Sequence, residues 1–337
     1  MTFDSSTPLI IGEISGNHGG SAESLLELVK AAVRSGLRCI KFQLYETHEV
    51  LSNKSFVLRD TKWEGENLFD LYKQNETQIS WLKESISYLR RNNIIYGFTV
   101  SGPSSLEKVL NIGCDFLKIA SFDAMDFSLI NLCLESHPVL IISDGVMDSS
   151  RRKLFLNYLS KKIHSSHDIT FLHCSSVYPS DILAYDISAF VEDVSFCPRM
   201  RIGISDHTLD NSLIFYAYGS GFSVFEKHIK MATDNKSVDS FFSSDVESLG
   251  LLQRQLDSIE RRNNIHDSKR TMNDIQRACY WQTSHKKGDM ICRDSIFFRR
   301  VLFEDGYLPE DVDMLISRKL LSRDVAAGAP VVESDFC

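Results

Sequence analysis

The sequence predicts an α/β protein, a (β/α)8 TIM barrel followed by a small mixed α/β domain, and three observations lead there. Eight short apolar or β-branched runs alternate with longer amphipathic stretches, the mark of repeated βα units. Those units fall within about 260 residues, the span of a closed barrel rather than of an open doubly wound sheet. A chain of 337 residues then leaves a remainder the size of a small appendage.

Each unit has its own signals. LIIGEI is the first run and ends on Glu13, with Asn17 and His18 just beyond; AESLLELVKAAVRS at 22–35 has helical spacing. RCIKFQL places Lys41 and Gln43 on the second run. HEVLSNKSFVLRDTKWEGENLFDLYKQN follows, an inserted loop with one short helix, and long loops after barrel strands shape the active-site mouth. A helix at 77–91 leads to IIYGFTV with Thr99, and one at 104–110 leads to DFLKIAS with Lys118, Ser121 and Asp123. PVLIISD presents Ser143 and Asp144, and DITFLHC presents His173, with Ser176 and Tyr178 after it. RIGISD ends on Ser205 and Asp206 before His207, a helix spans 211–218, and SVFEKHI holds Glu226 and His228. Val246, Leu249, Leu252, Leu256 and Ile259 repeat at helical spacing, so 245–262 is the last barrel helix. The domains are therefore expected at 1–264 for the barrel and 277–337 for the appendage. A polar, aperiodic linker at 265–276 joins them. At roughly 60 residues the appendage is marginal as an independent fold.

Composition narrows the function. The 43% hydrophobic and 24% charged content is that of an ordinary globular protein, with no apolar run long enough for a membrane span. MTFDSSTPLI lacks the regions of a signal peptide, so a cytoplasmic location is expected. The eight cysteines contain no CxxC pair and suit buried reduced thiols. A formal net charge of -8 argues against nucleic acid as a partner. An anionic substrate must then be held by local cations and amides.

In barrel enzymes the chemistry sits at the C-terminal ends of the strands. Lys41 and Lys118 lie within strand runs, and a buried ammonium is costly unless it is paired or meets an anion. Together with the donors Thr99, Ser121 and Ser205 they suit a phosphate. Two alternatives stay open at this point: pairing of each lysine with a carboxylate, and Schiff-base formation by either one. His207 and His228 end consecutive strands, and Glu13 ends the strand beside the last, which makes an open divalent-metal site. His173 is expected to be structural.

The stretches IGEISGNHGG, IKFQLY, LKIASFDAMD, HCSSVYP, IGISDHTLDN and FEKHI, in that order, resemble the barrel of the bacterial sialic acid synthases and their nonulosonate relatives, over nearly the whole chain. KKGDMI and FFRRV resemble the antifreeze-like (SAF) domain attached to those enzymes. The resemblance implies condensation of phosphoenolpyruvate with an open-chain 2-acetamido sugar, giving a nine-carbon 2-keto acid and phosphate. It implies a divalent metal on His207 and His228, manganese first, with magnesium or cobalt as alternatives. Glu13 and Lys118 join those histidines as catalytic residues, Glu13 handling protons. Lys41, Thr99, Lys118, Ser121 and Ser205 would hold phosphoenolpyruvate, and Gln43, Asp123, Tyr178 and Asp239 would face the sugar. Asn17 and Ser176 complete the substrate-binding set. A homodimer with swapped C-terminal domains would bring Arg300 to the partner's sugar site.

KIASF followed by Asp123 and Asp126, the WEGENLFDLY element and VDSFFS are most similar to the pseudaminic acid synthase branch, with N-acetylneuraminate or legionaminate synthase as the alternative. A non-catalytic sugar-binding homologue is the third reading. It draws on two departures from the family pattern, Asp144 in Ser143-Asp144-Gly145 and Ser176 in place of asparagine; FTVSG after the third run and Ser237-Val238 before Asp239 also depart and point to a shifted acceptor or reduced activity. Asp144 is expected to repel phosphoenolpyruvate unless it is protonated or paired.

Overall fold

All eight runs become strands, in sequence order: β1 Leu9–Glu13, β2 Cys39–Gln43, β3 Ile95–Thr99, β4 Phe116–Ile119, β5 Val139–Ser143, β6 Asp168–Cys174, β7 Arg201–Asp206 and β8 Val224–Lys230. The computed structural model describes residues 7–52, 56–59, 62–195, 197, 199–264, 275–302, 306–317 and 320–336. Every neighbouring pair is parallel, and β1 closes on β8 in the register Leu9↔Val224 to Glu13↔His228, so the sheet is a barrel. A two-residue strand, β9 Ser244–Asp245, extends the end of β8.

Strand periodicity decides what faces inward. Leu9, Ile11, Cys39, Phe116, Val139, Ile141, Leu172 and Val224 form a buried cluster of their own and fill the lower interior. Residues in between, such as Ile10, Ile40, Phe98, Leu117, Ile142, Phe171 and Phe225, pack outward in the larger core shared with the helices. Space inside is tight: a Cβ on Gly97 would sit 2.5 Å from the Phe116 ring. Continuing the inward series one step up each strand gives Glu13, Lys41, Lys118, Ser143, Cys174, Ser205 and Glu226. The same alternation that makes the core apolar therefore makes its upper end polar.

The helix at Ala22–Ser35 starts where Ser21 accepts from the Ser24 amide and stops at Gly36 with φ 105°. The other predicted helices appear as Ile79–Arg91, Pro103–Ile112, Ser212–Gly219 and Val246–Asn264. The insertion holds two short helices rather than one, Thr47–Val50 and Leu68–Gln74. The first is pinned because Glu76 accepts from both the amide and the hydroxyl of Thr47, at 2.8 and 2.7 Å.

The chain divides into two units, Met1–Asn264 and Ile265–Cys337. Of the linker predicted at 265–276, residues 265–274 lie outside the described residues. In the second unit β10 Ile275–Trp281 pairs antiparallel with β11 Ile296–Leu302. Trp281 is fully buried and donates to Asp335 at 3.0 Å. Leu315, Val331 and Phe336 share its core. Among the described residues no helix is long and apolar enough to cross a membrane.

Candidate active site

A cavity of about 270 Å³ opens at the C-terminal end of the barrel. Of the predicted residues it brings together Glu13, Lys41, Gln43, Thr99, Lys118, Ser121, Tyr178, Ser205, His207, His228 and Asp239.

Its floor is a buried charge cluster. Lys41 contacts Glu13, lies 2.6 Å from Thr99 Oγ1 and 3.6 Å from Glu226 Oε2. Lys118 lies 3.4 Å from Glu226 Oε1, which also accepts from Ser205 at 2.8 Å. Burial pushes the Lys118 ammonium below its ordinary range, and Glu226 only partly offsets this. For Lys41 burial pulls the same way, but Glu13 and Glu226 outweigh it and the group is held above. Burial would raise the Glu226 carboxyl; Lys118 and Lys41 overcome that and keep it ionised. Glu13 moves up, because burial, reinforced by Glu226, exceeds the pull of Lys41. Lys118 is thus the lysine with less countercharge, the one an incoming anion relieves most.

Beside Lys118 lies a small cradle. Gly145 donates from its amide to Ser121 Oγ at 3.2 Å. A Cβ on Gly145 would stand 2.5 Å from Ser176 Oγ and 2.7 Å from Ser121 Oγ, so the hydroxyls converge where the glycine leaves room. Ser143 Oγ and Ser176 Oγ are buried with no hydrogen-bond partner in the chain. Buried hydroxyls without partners cost roughly 1–3 kcal/mol each, and they persist where a ligand completes them.

His207 and His228 face each other across the cavity, ring centroids 5.5 Å apart. His207 Nδ1 donates to the Ser175 carbonyl at 2.7 Å, which leaves Nε2 as the lone-pair nitrogen. Burial and the neighbouring His228 push the His207 pKa down to about 3, so the ring is neutral, the state a metal ligand needs. His228 Nδ1 lies 3.6 Å from Asp239 Oδ2, and the Gly16 amide donates to that same oxygen at 3.1 Å. A carboxylate behind an imidazole is the usual support of a metal-binding histidine. Among the described residues no group of three or more His, Cys, Asp or Glu side chains is placed to hold an ion. The donors present therefore fit an open site with two protein nitrogens, its other positions left to water or substrate.

Other predicted residues stand outside the cavity. Asn17 donates to the Ile229 carbonyl and to Ser243 Oγ, both at 2.8 Å, tying the turn after β1 to the end of β8. Asp123 is half-buried in the turn Ser121–Asp123, and burial pushes its pKa up to about 6. Ser176 forms the far side of the cradle at Gly145 rather than lining the cavity. Arg300 belongs to the second unit, exposed on β11 and paired in register with Arg277. His173 places Nδ1 3.1 Å from Asp144 and stacks on Phe190. Asp144 itself is 1% exposed and is paired: Arg152 Nε lies 2.8 Å away and the Cys174 amide donates to it at 2.8 Å.

Sequence reasoning named Glu226 at the end of the eighth run but gave it no role, though its position two before His228 on a strand puts both on one face. It missed the wall supplied by the insertion, Leu58, Trp63, Leu68, Leu71 and Tyr72. No periodicity in an irregular loop marks which side chains turn inward.

Known proteins resemble this chain in sequence and in fold. The model of the NeuB family matches residues 28–266. The pseudaminic acid synthase of Campylobacter jejuni subsp. jejuni serotype O:23/36 is 27% identical over 335 residues, covering 97% of this chain and 96% of that one. The pseudaminic acid synthase of Helicobacter pylori is 28% identical over 241 residues, covering 71% of this chain and 70% of its own. The crystal structure of the N-acetylneuraminic acid synthetase of Leptospira borgpetersenii serovar Hardjo-bovis superposes with a TM-score of 0.68 at 23% identity, over 80% of this chain and 90% of that one, a likeness of fold.

Proposed function

The chain belongs to the NeuB family, and we propose that it is a pseudaminic acid synthase. It would condense phosphoenolpyruvate with an open-chain 2,4-diacetamido-2,4,6-trideoxy hexose to give a nine-carbon 2-keto acid and phosphate. One observation supports this above the others: Lys118, Ser121 and the partnerless hydroxyl of Ser143 line the same cavity as a pair of close imidazoles. That arrangement suits an anion next to a polarised carbonyl.

Lys118, Lys41, Thr99 and Ser121 would bind the phosphate and carboxylate of phosphoenolpyruvate. Carbon 3 of the enol then attacks the aldehyde carbon, positive charge develops at carbon 2, water adds there, and phosphate leaves. Glu226, held ionised, would stabilise the developing charge. Glu13, whose pKa is raised, would hold or release the proton exchanged with water and the new hydroxyl. His207 and His228 would hold a divalent ion, manganese first and magnesium or cobalt as alternatives, whose chemistry when bound is Lewis-acid polarisation of a carbonyl oxygen. Gln43, Tyr178 and Asp239 would orient the sugar. The apolar wall of Leu58, Leu68, Leu71 and Phe242 suits methyl and acetamido groups better than a run of hydroxyls.

In this reading the enzyme works in the cytoplasm as a homodimer, the second unit is an antifreeze-like domain swapped between subunits, and exposed Arg300 serves the partner's sugar site. The test is mass-spectrometric detection of the nine-carbon acid from phosphoenolpyruvate, manganese and a panel of acetamido sugars. Absence of product with every acceptor, from folded and metal-loaded protein, would overturn the proposal. A second reading, a Schiff-base aldolase, draws on the lowered pKa of Lys118. Borohydride with pyruvate would leave a trapped adduct on that lysine only if the second reading is right.

A further inference from the structure

Asp144 is the least expected residue of the site, a carboxylate one position beyond Ser143 where a phosphate is to bind. Its side chain points away from the cavity that Ser143 lines. Outward of the barrel it accepts from Arg152 Nε at 2.8 Å and from the Cys174 amide at 2.8 Å, with both oxygens 3.1 Å from His173 Nδ1. Arg152 reaches on to Asp193 through Nη1 at 2.6 Å, and Asp193 also meets Lys153 at 3.2 Å. Two carboxylates thus face two cations. The cluster presents no net charge to an anion inside the barrel, which removes the expected repulsion.

Every contact of that carboxylate joins elements that build the cradle. Cys174, two residues before Ser176, ends β6; Asp144 adjoins Gly145; Arg152 lies on the helix Ser149–Ser160 that follows β5. His173 and Arg152 both stack on Phe190, and His173 meets Tyr185 edge-on at 5.7 Å. The Tyr185 hydroxyl donates to the Ser205 carbonyl at 3.1 Å and accepts from the His207 amide at 3.1 Å. The ends of β5, β6 and β7 are therefore braced against one another by a layer just outside the site.

We propose that Asp144 is a positioning residue for phosphate: locked by Arg152, His173 and the Cys174 amide, it holds the β5 and β6 ends so that Gly145 and the hydroxyls of Ser176 and Ser121 form one cradle for an oxyanion. It touches no substrate and acts through the cradle. The inference rests on the reading of the cavity as a phosphoenolpyruvate site.

The experiment is steady-state kinetics of full-length Asp144→Asn and Arg152→Met, with inorganic phosphate as a dead-end inhibitor. Groups one layer behind a site typically contribute about 10–100-fold. Both variants should raise the KM for phosphoenolpyruvate and the Ki for phosphate by about tenfold or more, while the KM for the acceptor sugar stays within about twofold. A loss confined to kcat, in step with the folded fraction, would make Asp144 merely structural and overturn the proposal, as would equal changes in both KM values. Should either variant fail to fold, Arg152→Lys keeps one cation at the carboxylate and should show the same split at smaller size; an unmoved split refutes the inference. If the wild-type chain binds neither phosphoenolpyruvate nor phosphate, the reading of the site falls and the inference with it. Wild-type turnover with insensitive variants removes the inference alone.

Discussion

At the upper ends of β5, β7 and β8, neighbouring residues face opposite ways and meet opposite fates. Outward, Asp206 accepts from Lys227 at 2.7 Å, and Lys227 also donates to the carbonyls of Thr208 and Asp210 at 2.7 and 3.0 Å. Asp144 is enclosed by Arg152 in the same way. Inward, one residue away, Ser143 Oγ and Glu226 Oε2 are buried without a hydrogen-bond partner. Both faces are buried, so burial does not separate them. What separates them is satisfaction: Asp144, Asp206 and Lys227 are completed by the chain, whereas the Ser143 hydroxyl is left for something that binds.

Substitutions should divide along that line. The largest stability effect is expected outside: Lys227→Met strips a buried carboxylate of its cation, a loss of about 3–5 kcal/mol in urea unfolding. An unchanged midpoint would break the distinction between the faces. Lys118→Met, inside, should act the other way round. Activity should fall by about 10²–10³ as an electrostatic contribution is lost, while stability should fall less than in Lys227→Met, because Lys41 still stands 3.6 Å from Glu226. A variant that unfolds with its activity per folded molecule intact would contradict this.

A smaller effect follows from His207. Its folded pKa of about 3 lies below the unfolded value near 6.5, so in that window the unfolded chain takes up a proton that the native state refuses. Stability should therefore fall as pH drops through 6.5 toward 3, by about 1 kcal/mol between pH 7 and 5.5. His207→Gln should flatten that part of the curve measured by denaturant titration, and an identical slope would contradict the buried neutral imidazole. Smallest is Asp123, whose carbon-13 carboxyl resonance should titrate near pH 6 at the rim of the site. A midpoint near the ordinary 3.9 would place that side chain in water.

The same alternation explains what could be read from the sequence. The strands were legible because apolar runs such as LIIGEI and PVLIISD have one meaning in a repeated βα context. Lys41 and Lys118 stood out because an ammonium in such a run demands a partner. Glu226 was legible as a strand-end residue of SVFEKHI but its role was not, because its partners Lys118, Lys41 and Ser205 come from other strands. Asp144 was legible as an oddity, but its complement, Arg152, lies on the following helix and reaches it only in three dimensions. The insertion was visible as a long gap, and its lining residues were not, because irregular backbone has no period to project side chains from.

The most direct test of the central claim is phosphate release from phosphoenolpyruvate with manganese, comparing N-acetylmannosamine with a 2,4-diacetamido-2,4,6-trideoxy acceptor. Acceptor-dependent release, faster with the trideoxy sugar and abolished in Lys118→Met, is the predicted result. Release that ignores the acceptor, or that survives loss of Lys118, would contradict the assignment of the inward face to this reaction.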